Sequence, residues 1–377
     1  MPLNKTSFVR RSVVLATGAS LLVSVFVTGG SSFAATTTSS PGVRAARAAV
    51  LAAEKPIRFT AASPKFSMST LAGKSVWYIA PTMSVPFIAA IAAGFKAAGE
   101  AAGLKVTIFD GQGNVNTWNQ GVSEAVSQGA SGIVLQGISP SLVSGPLAQA
   151  VAAKIPVIDS LTGNPKDALP TGILAHVSVD YTFGGKLLAD WMIADSNGHA
   201  HVVIFTSSVY TIYVKMLAGF KAEFRKRCPK TCRIDAVEDV PPTNWATQLG
   251  TIASTQLSRH PDVNYFVPVA DAMVTYIAPS LTQVKSRVKI ISHDGVTTNL
   301  DLIRSGKTQQ ADVSNPPTAA MGWAEVDELG RLMQDLKPVF ENLPQQIFVR
   351  ANVGKNDKNL FPYFSNFAAG FKTNWGV

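Results

Sequence analysis

Cysteine is nearly absent from this chain, which has two among 377 residues, Cys228 and Cys232. So few thiols exclude both a disulfide scaffold and a cysteine-rich metal cluster. A zinc site would need a second pair of cysteines, and the sequence has none. The two cysteines lie four residues apart in CPKTC, so in an oxidising compartment a local disulfide is favoured over two free thiols.

Charged residues are also few, at 15%, while 46% of the residues are hydrophobic, and this composition excludes a disordered chain. The net charge of +9 is concentrated at the N-terminus. Residues 1–72 carry eight lysines and arginines against a single acid, Glu54, which leaves a net charge of +2 for residues 73–377. A nearly neutral folded part is a poor surface for neutralising phosphates, so no nucleic-acid partner is expected. The length predicts two domains of similar size.

The sequence has no hydrophobic run long enough for an ordinary transmembrane helix, which needs about 20 residues. The apolar stretch 12–27 follows Lys5, Arg10 and Arg11 and precedes Ser32-Phe33-Ala34, a small-x-small cleavage pattern. We therefore expect residues 1–34 to be a cleaved signal peptide, with a membrane anchor as the alternative. No cysteine lies near the cleavage pattern, which excludes a lipoprotein. The protein is expected in the periplasm or another extracellular space.

Familiar catalytic signatures are missing as well. The chain contains no G-x-S-x-G, no phosphate-binding P-loop and no G-x-G-x-x-G that opens a first helix. His199 and His201 are spaced so that they could reach one metal ion, but a solvated pair at the start of a strand is the preferred interpretation. We expect a protein that is not an enzyme and has neither a cofactor nor a metal.

A regular alternation of short apolar strands and helices begins near Lys74. This pattern predicts an α/β fold of two doubly wound parallel-sheet lobes. Residues 35–72 are rich in Ala, Thr, Ser and Pro, and they are expected to form a flexible tether. The predicted strands are 75–80, 105–109, 132–135, 156–158 and 173–177 in the first lobe, then 201–205, 233–237, 263–267, 288–293, 309–313 and 346–350.

Polar and aromatic residues collect directly after these strands. Ligands of open α/β sheets bind beyond the carboxyl ends of the strands, so these residues are candidates for a binding site. Each of them taken alone is equally well explained as a helix N-cap, and only the set argues for a site. A mixture of aromatic rings, carboxylates and amides suits a polar ligand with an apolar face, such as a sugar ring. The set includes Ser84, Phe87, Asp159, Tyr210, Trp245, Asp271, Asp294 and Asn315.

Several segments, in order and spacing, resemble the ribose-binding-protein family, the type I solute-binding components of ABC importers. They are SVPF at 84–87, HVSVDYTFGG at 176–185, AGF at 218–220, SRHPDVNYFV at 258–267, ISHDG at 291–295 and ADVSNPP at 311–317. The resemblance covers about 74–350. It implies two lobes joined by three crossings, a periplasmic binding protein type I fold that closes over a small solute without catalysis.

The resemblance also implies roles for individual residues. Phe87 and Trp245 would stack on the ligand ring, while Asp294 and Asn315 would hydrogen-bond its hydroxyls. Ser84 and Asp159 would do the same from the first lobe. Where the family commonly has an arginine, this chain has Lys215 or Met216, and DSLTGN contains no arginine either; Ala270 replaces the usual asparagine. Because Tyr210, Tyr213 and Met216 make this wall apolar, a glycoside, a nucleoside-like solute or a small aromatic compound fits as well as a simple sugar.

The stretch HVSVDYTFGGKLLADWM predicts the first crossing between the lobes. Asp180 is expected to be a helix N-cap, and Gly184 and Gly185 to let the helix pack close to the crossing strands. Asn315 is expected at the hinge too. The predicted N-terminal lobe comprises 73–180 and 316–343, and the C-terminal lobe 181–315 and 344–377.

The expected function is capture of a small polar, ring-containing ligand and its delivery to the permease subunits of an ABC importer, by a monomer. An exported sensor that presents its ligand to a membrane receptor remains an alternative. A repressor of the lac type shares the two-lobe module but begins with a helix-turn-helix, whereas this chain begins with an export signal and a tether.

Overall fold

Five parallel strands form the sheet of the first lobe in the computed structural model, which describes residues 39–357 and 360–377. The strand order is β2-β1-β3-β4-β5. Alternate side chains of the first strand are buried on opposite faces, Tyr78 with one cluster and Trp77 and Ile79 with another, so both faces of the sheet are covered. The strands are β1 Ser75–Ala80, β2 Lys105–Asp110, β3 Gly132–Gln136, β4 Val157–Ser160 and β5 His176–Val177.

Helices cover the two faces of this sheet. One face carries a pair that packs together, α2 and α10, and the other carries α3 and α4. The last member, α10, comes from far along the chain, within residues 316–343. The helices are α2 Pro86–Ala101, α3 Val115–Ser127, α4 Ser144–Ala152 and α10 Thr318–Leu332.

The second lobe is a six-stranded sheet in the order β11-β10-β9-β8-β6-β7. Its strands are parallel except β11, which pairs antiparallel with β10. Helices α5 and α6 pack together, and so do α7 and α8. The elements are β6 His201–Thr206, β7 Arg233–Asp239, β8 Tyr265–Pro268, β9 Lys289–Asp294, β10 Gln309–Ser314, β11 Gln346–Val349, α5 Tyr181–Asp195, α6 Thr211–Arg227, α7 Trp245–Arg259, α8 Asp271–Gln283 and α9 Thr297–Ser305.

Three crossings join the lobes, and the predicted fold class is confirmed. The chain passes from β5 to α5, from β10 to α10, and from α10 to β11. Cys228 and Cys232 form a disulfide just after α6, as the sequence favoured. No helix among the described residues is long and apolar enough to cross a membrane. The predicted signal peptide, 1–34, lies outside the described residues.

The described part of the expected tether is ordered, which corrects that expectation. Residues Pro41–Ala53 form helix α1, which Ser40 caps by accepting a hydrogen bond from the Val43 N–H at 3.2 Å. Val43, Ala46 and Val50 are buried, and the helix packs on α5 of the second lobe. Their spacing places them on one helix face, a signal that the Ala- and Ser-rich composition concealed.

The C-terminal segment is also placed differently from the expectation. Residues 344–377 were assigned to the second lobe, but only their first part lies there, as β11. Helix α11, Phe367–Trp375, packs against α10 of the first lobe, where the Trp375 ring stacks on Trp323 with centroids 5.3 Å apart. The Trp375 indole N–H donates to Asp327 at 2.6 Å. A buried aromatic pair and a buried hydrogen bond therefore hold the end of the chain on the first lobe.

The two terminal segments run side by side between the lobes. The Phe59 N–H donates to the Tyr363 carbonyl at 3.0 Å, and Phe66 and Met68 donate to the carbonyls of Asn374 and Trp375 at the same distance. Residues 54–68 thus lead from the second lobe to the first, and the described residues between β11 and α11 do the same. These two terminal segments therefore connect the lobes in addition to the three crossings between the sheets and helices.

Candidate functional site

A cleft of about 780 Å³ lies between the lobes, at the carboxyl ends of the parallel strands of both sheets. The first lobe contributes the loop after β1 and the residues that end β3 and β4. The second lobe contributes the residues that follow β6, β7, β8 and β9. The lining residues that matter below are Ser84, Phe87, Gln136, Leu161, Tyr181, Tyr210, Tyr213, Trp245 and Asp294.

Aromatic rings face the cleft from both lobes. Phe87 stands in the first turn of α2, and Trp245 begins α7 on the opposite lobe. The Trp245 indole N–H donates to the Val240 carbonyl at 2.9 Å, which fixes the orientation of the ring. Tyr210 packs edge-on against Tyr213 with ring centroids 5.5 Å apart. Rings presented from both sides suit a ligand with two apolar faces.

Asp294 is the charged group of the cleft. It ends β9 in an unusual backbone conformation, with φ of 132°, and its carboxylate is nearly buried. One carboxylate oxygen pairs with His293 Nδ1 at 3.1 Å, and the other accepts the Asp271 N–H at 3.3 Å. Burial raises the pKa of Asp294, while the His293 hydrogen bond and the Asp271 N–H act in the opposite direction. The carboxylate is thus held in place and can accept further hydrogen bonds.

Ser84 also lies at the cleft, on its exposed rim. Its hydroxyl pairs with Thr82 Oγ1 at 2.9 Å, within the loop that joins β1 to α2. The structure therefore brings together five of the residues that the sequence singled out: Ser84, Phe87, Tyr210, Trp245 and Asp294.

Asp159 differs from its expected place, because it lies beneath the cleft rather than in its lining. It is fully buried, pairs with His176 and accepts a hydrogen bond from Thr162 Oγ1 at 2.5 Å. Burial lowers the pKa of His176, but the bond and charge of Asp159 raise it more. The strand continues one residue beyond Asp159, so Leu161 lines the cleft instead, with φ of 59°.

Asp271 is likewise not among the lining residues. Its carboxylate accepts hydrogen bonds from Ser292 Oγ at 2.5 Å and from the Val296 N–H at 2.7 Å. Burial and the neighbouring Asp312 raise the pKa of Asp271. This side chain anchors the loop that follows Asp294, so it supports the site without facing the cleft.

Met216 and Asn315 are the other two predicted site residues that do not line the cleft. Met216 is fully buried in the second-lobe core, one turn beyond the part of α6 that reaches the cleft. Asn315 is buried at the second crossing, where its N–H donates to the Asp294 carbonyl at 3.2 Å and its side-chain oxygen accepts from Gln345 at 3.3 Å. Asn315 thus braces Asp294 from the hinge, the second of its two expected places.

Gln136 and Tyr181 are among the polar residues of the cleft that sequence reasoning missed. Gln136 ends the apolar strand β3, and Tyr181 begins α5 at the first crossing. Both are fully buried. A polar residue at the end of an apolar strand was the signal available for Gln136, and it is the same signal that identified Asp294.

The hinge residues behave partly as predicted. Asp180 caps α5 by accepting the Phe183 N–H at 2.8 Å. A Cβ on Gly184 would lie 3.0 Å from the Gln345 amide nitrogen of the third crossing, so this glycine does provide clearance there. A Cβ on Gly185 would instead lie 1.9 Å from the Met216 carbonyl oxygen, so Gly185 serves the contact between α5 and α6.

Metal chemistry has no visible basis in the described residues, where no group of three His, Cys, Asp or Glu side chains is arranged to hold an ion. His199 and His201 do not converge on a common point with an acid, since His201 pairs with Asp262 at 3.2 Å while His199 is exposed. The cleft is suited to enclosing a small molecule between the two lobes. Fold and cleft together define a two-lobed solute-binding protein.

Comparison with known proteins agrees with this class. The periplasmic binding protein domain matches residues 76–335, and the chain belongs to that family, whose members bind solutes and are not enzymes. The ribose import binding protein of Salmonella typhimurium is 21% identical over 248 residues, which are 66% of this chain and 81% of the relative.

Solved structures share the fold across most of the chain. The 5-methylthioribose transporter solute binding protein of Thermotoga lettingae has a TM-score of 0.71 at 15% identity and covers 84% of this chain and 99% of its own. The glucose-galactose binding protein GanP of Geobacillus stearothermophilus has a TM-score of 0.66 at 22% identity and covers 74% and 98%.

Proposed function

We propose that this protein is an exported solute-binding protein that captures a sugar or sugar-like molecule and delivers it to the permease of an ABC importer. The observation that carries the proposal is that Phe87 and Trp245, from opposite lobes, line the same cleft as Asp294 at the end of β9. The relatives that bind ribose, 5-methylthioribose, glucose and galactose support the same ligand class.

The proposed capture follows from the chemistry of the three side chains. The faces of a sugar ring expose C–H groups that pack on aromatic rings, while its hydroxyls project around the edge. A carboxylate accepts from two neighbouring hydroxyls at once, and such charged acceptors form bonds roughly twice as strong as neutral ones. Closure of the lobes would remove water from these contacts and strengthen them. Opening would release the same ligand unchanged.

Export and delivery rest on the sequence. The positively charged start, the short apolar stretch and the cleavage pattern of residues 1–34 support export, and family membership supports transport. Uptake of the ligand by cells that lack this protein should fall, and the full-length gene should restore it. Restoration by a form without residues 2–34 would contradict the export step.

The first test is a ligand screen by thermal shift with sugars, glycosides, nucleosides and phenolic compounds. A ligand present at 100 times its dissociation constant adds about 2.7 kcal/mol to the free energy of unfolding. Trp245→Ala and Asp294→Asn are each expected to weaken binding about tenfold or more, which corresponds to about 1.4 kcal/mol. The matched control is Asp262→Asn, an exposed acid of the same lobe, which should bind like the unaltered protein.

Two results would overturn the proposal. Unchanged affinity in both cleft variants would show that the ligand binds elsewhere. Conversion of the bound compound into a product would show an enzyme.

A further inference from the structure

The cleft contains little charge. Among its lining residues that the structure describes, Asp294 has the only charged side chain, and no lysine, arginine or histidine faces the space. Lys215, two residues after Tyr213 on α6, pairs with Asp167 at 2.7 Å and does not line the cleft. A negatively charged ligand would therefore lie beside a carboxylate without a positive partner, an arrangement that strongly opposes binding.

Two residues that line the same space, Gln136 and Tyr181, carry buried polar atoms without partners. The side-chain amide nitrogen and oxygen of Gln136 have no hydrogen-bond partner among the described residues. The Tyr181 hydroxyl has none there either. Both residues are fully buried. A buried polar group without a partner destabilises a protein, so such groups persist where they serve another purpose. In a residue that lines a binding cleft, a hydrogen bond to the ligand can supply the missing partner.

The three polar groups offer complementary chemistry from three parts of the molecule. Gln136 can donate and accept, from the first lobe. Burial and the Asp294 carboxylate raise the pKa of Tyr181, so its hydroxyl stays protonated and can donate from the hinge. Asp294 accepts from the second lobe, where hydrogen bonds to His293 Nδ1 and from the Asp271 N–H hold its carboxylate in place. This set matches the hydroxyls of a neutral ligand, and it does not require a cation.

Another part of the cleft lining is largely apolar and extended. The first turn of α6 presents Tyr210, Ile212 and Tyr213, and Pro241 and Trp245 continue the same surface. The cleft volume of about 780 Å³ falls within the roughly 300–1,000 Å³ of pockets that hold drug-sized ligands. A single unsubstituted sugar ring would leave part of this apolar wall uncovered.

We propose that the cleft selects an uncharged sugar derivative that carries an apolar substituent, such as an alkyl or aryl glycoside. Gln136, Tyr181 and Asp294 bind its hydroxyls, while the substituent packs on Tyr210, Tyr213 and Trp245. This assignment rests on the proposed function, since it specifies the ligand class of the same cleft. It also makes Gln136 and Tyr181 specificity-determining residues.

Isothermal titration calorimetry on the purified protein tests the ligand class. The probes are D-glucose and D-ribose, their methyl and phenyl β-glycosides, glucose 6-phosphate, glucuronic acid and glucosamine. A phenyl glycoside should bind at least tenfold more tightly than its free sugar, and the phosphate and the uronic acid should not bind measurably. Equal affinity for the free sugar, binding of either anion, or a preference for glucosamine would each overturn the inference.

Three single-residue variants test the assigned groups on the tightest probe. Tyr181→Phe should weaken binding about fivefold and Gln136→Leu about tenfold. The control is Tyr78→Phe, whose hydroxyl is equally buried and also lacks a partner among the described residues but lies in the first-lobe core, outside the cleft lining. It should leave affinity unchanged.

Unfolding without ligand separates this role from a structural one. Because Tyr181→Phe and Gln136→Leu remove unpartnered buried polar atoms, the unliganded variants should melt at the same temperature or higher, although they bind less tightly. Unchanged affinity in both variants, or a weakened affinity that simply follows a lower melting temperature, would overturn the assignment.

The two levels of the proposal fail in different ways. If no sugar or glycoside binds at any concentration tested, the proposed function fails, and this inference falls with it. If free sugars and their anions bind as well as the glycosides do, sugar binding stands and only this inference is wrong.

Discussion

Asp294 and Leu161 have positive backbone φ angles, 132° and 59°, although neither is glycine. Asp294 is the last residue of β9 in the second lobe, and Leu161 directly follows β4 in the first lobe. Both residues line the cleft. Such conformations cost about 1–3 kcal/mol and concentrate at functional sites. At both positions the backbone turns where a strand ends, and the residue is part of the cleft lining. The sequence pattern identified Asp294 as a cleft residue, but in the first lobe it selected Asp159 instead of Leu161. Residue types alone do not reveal the backbone φ angle at a position.

Glu325 illustrates how burial controls a single charge. It lies fully buried on α10 and accepts a hydrogen bond from Ser160, and burial raises its pKa from 4.5 to about 8. The folded protein therefore keeps a proton that the unfolded chain releases above pH 4.5. The free energy of unfolding therefore decreases by about 1.4 kcal/mol per pH unit as the pH rises toward 8.

Glu325→Gln should remove this pH dependence. The free energy of unfolding of the variant minus that of the unaltered protein should increase by roughly 2–4 kcal/mol from pH 5 to pH 8. Urea denaturation at pH 5, 6.5 and 8 measures the difference. Glu100→Gln, at an exposed site beside Lys96, is the control and should show no such trend. A constant difference across the three pH values would mean that Glu325 is ionised in the folded protein.

At the scale of elements, the contact between α5 and α6 depends on two glycines. A Cβ on Gly219 would lie 2.1 Å from the Thr182 carbonyl oxygen, and one on Gly185 would lie 1.9 Å from that of Met216. The helix backbones therefore touch directly. The family-like motifs HVSVDYTFGG and AGF contain these glycines, which explains in physical terms why the two motifs occur together.

Gly219→Ala should destabilise the protein by about 2 kcal/mol or more, because overpacking a backbone contact outweighs the better helix propensity of alanine. Gly145→Ala in α4 is the matched control, since no atom lies within 4 Å of its added Cβ. The control should be neutral or more stable by up to about 1 kcal/mol. Chemical denaturation measures both. A Gly219→Ala protein as stable as the control would refute close backbone packing.

At the scale of the whole molecule, both ends of the described chain link the lobes. Helix α1 lies on the second lobe and α11 on the first, although the strand before α11 belongs to the second. Arg331 of α10 donates to the Pro64 carbonyl at 2.8 Å and to Asp327, so it ties the N-terminal segment to the α11 contact. The terminal segments are thus part of the connection between the two lobes.

Trp375→Ala tests which lobe the last helix stabilises. Loss of a fully buried tryptophan should cost about 3–5 kcal/mol. Hydrogen exchange should accelerate in α10 and leave the strands of the second lobe protected. Val377→Ala, at a half-exposed position two residues further on, should change neither quantity. Faster exchange confined to β8 and β9 would instead support the assignment of 344–377 to the second lobe.

The sequence by itself determined the class of fold. Short apolar strands that alternate with helices bury both faces of a parallel sheet, and this pattern depends on local residue order. Most strand bounds agree within one or two residues, as in β1 and β6. The same local logic placed Phe87, Trp245 and Asp294 at strand or helix ends that meet in the cleft, and it paired the two nearby cysteines.

Only the tertiary structure decided which strand-end residues face the ligand space and where the chain termini lie. Asp159 and Asp271 have the right residue type at the right place in sequence, yet partners from other segments hold them beneath the cleft. Gln136 and Tyr181 stand out because three-dimensional packing leaves them without partners. Helix α11 contacts α10, which lies dozens of residues earlier. Such contacts arise from packing over long sequence separations, which local pattern does not encode.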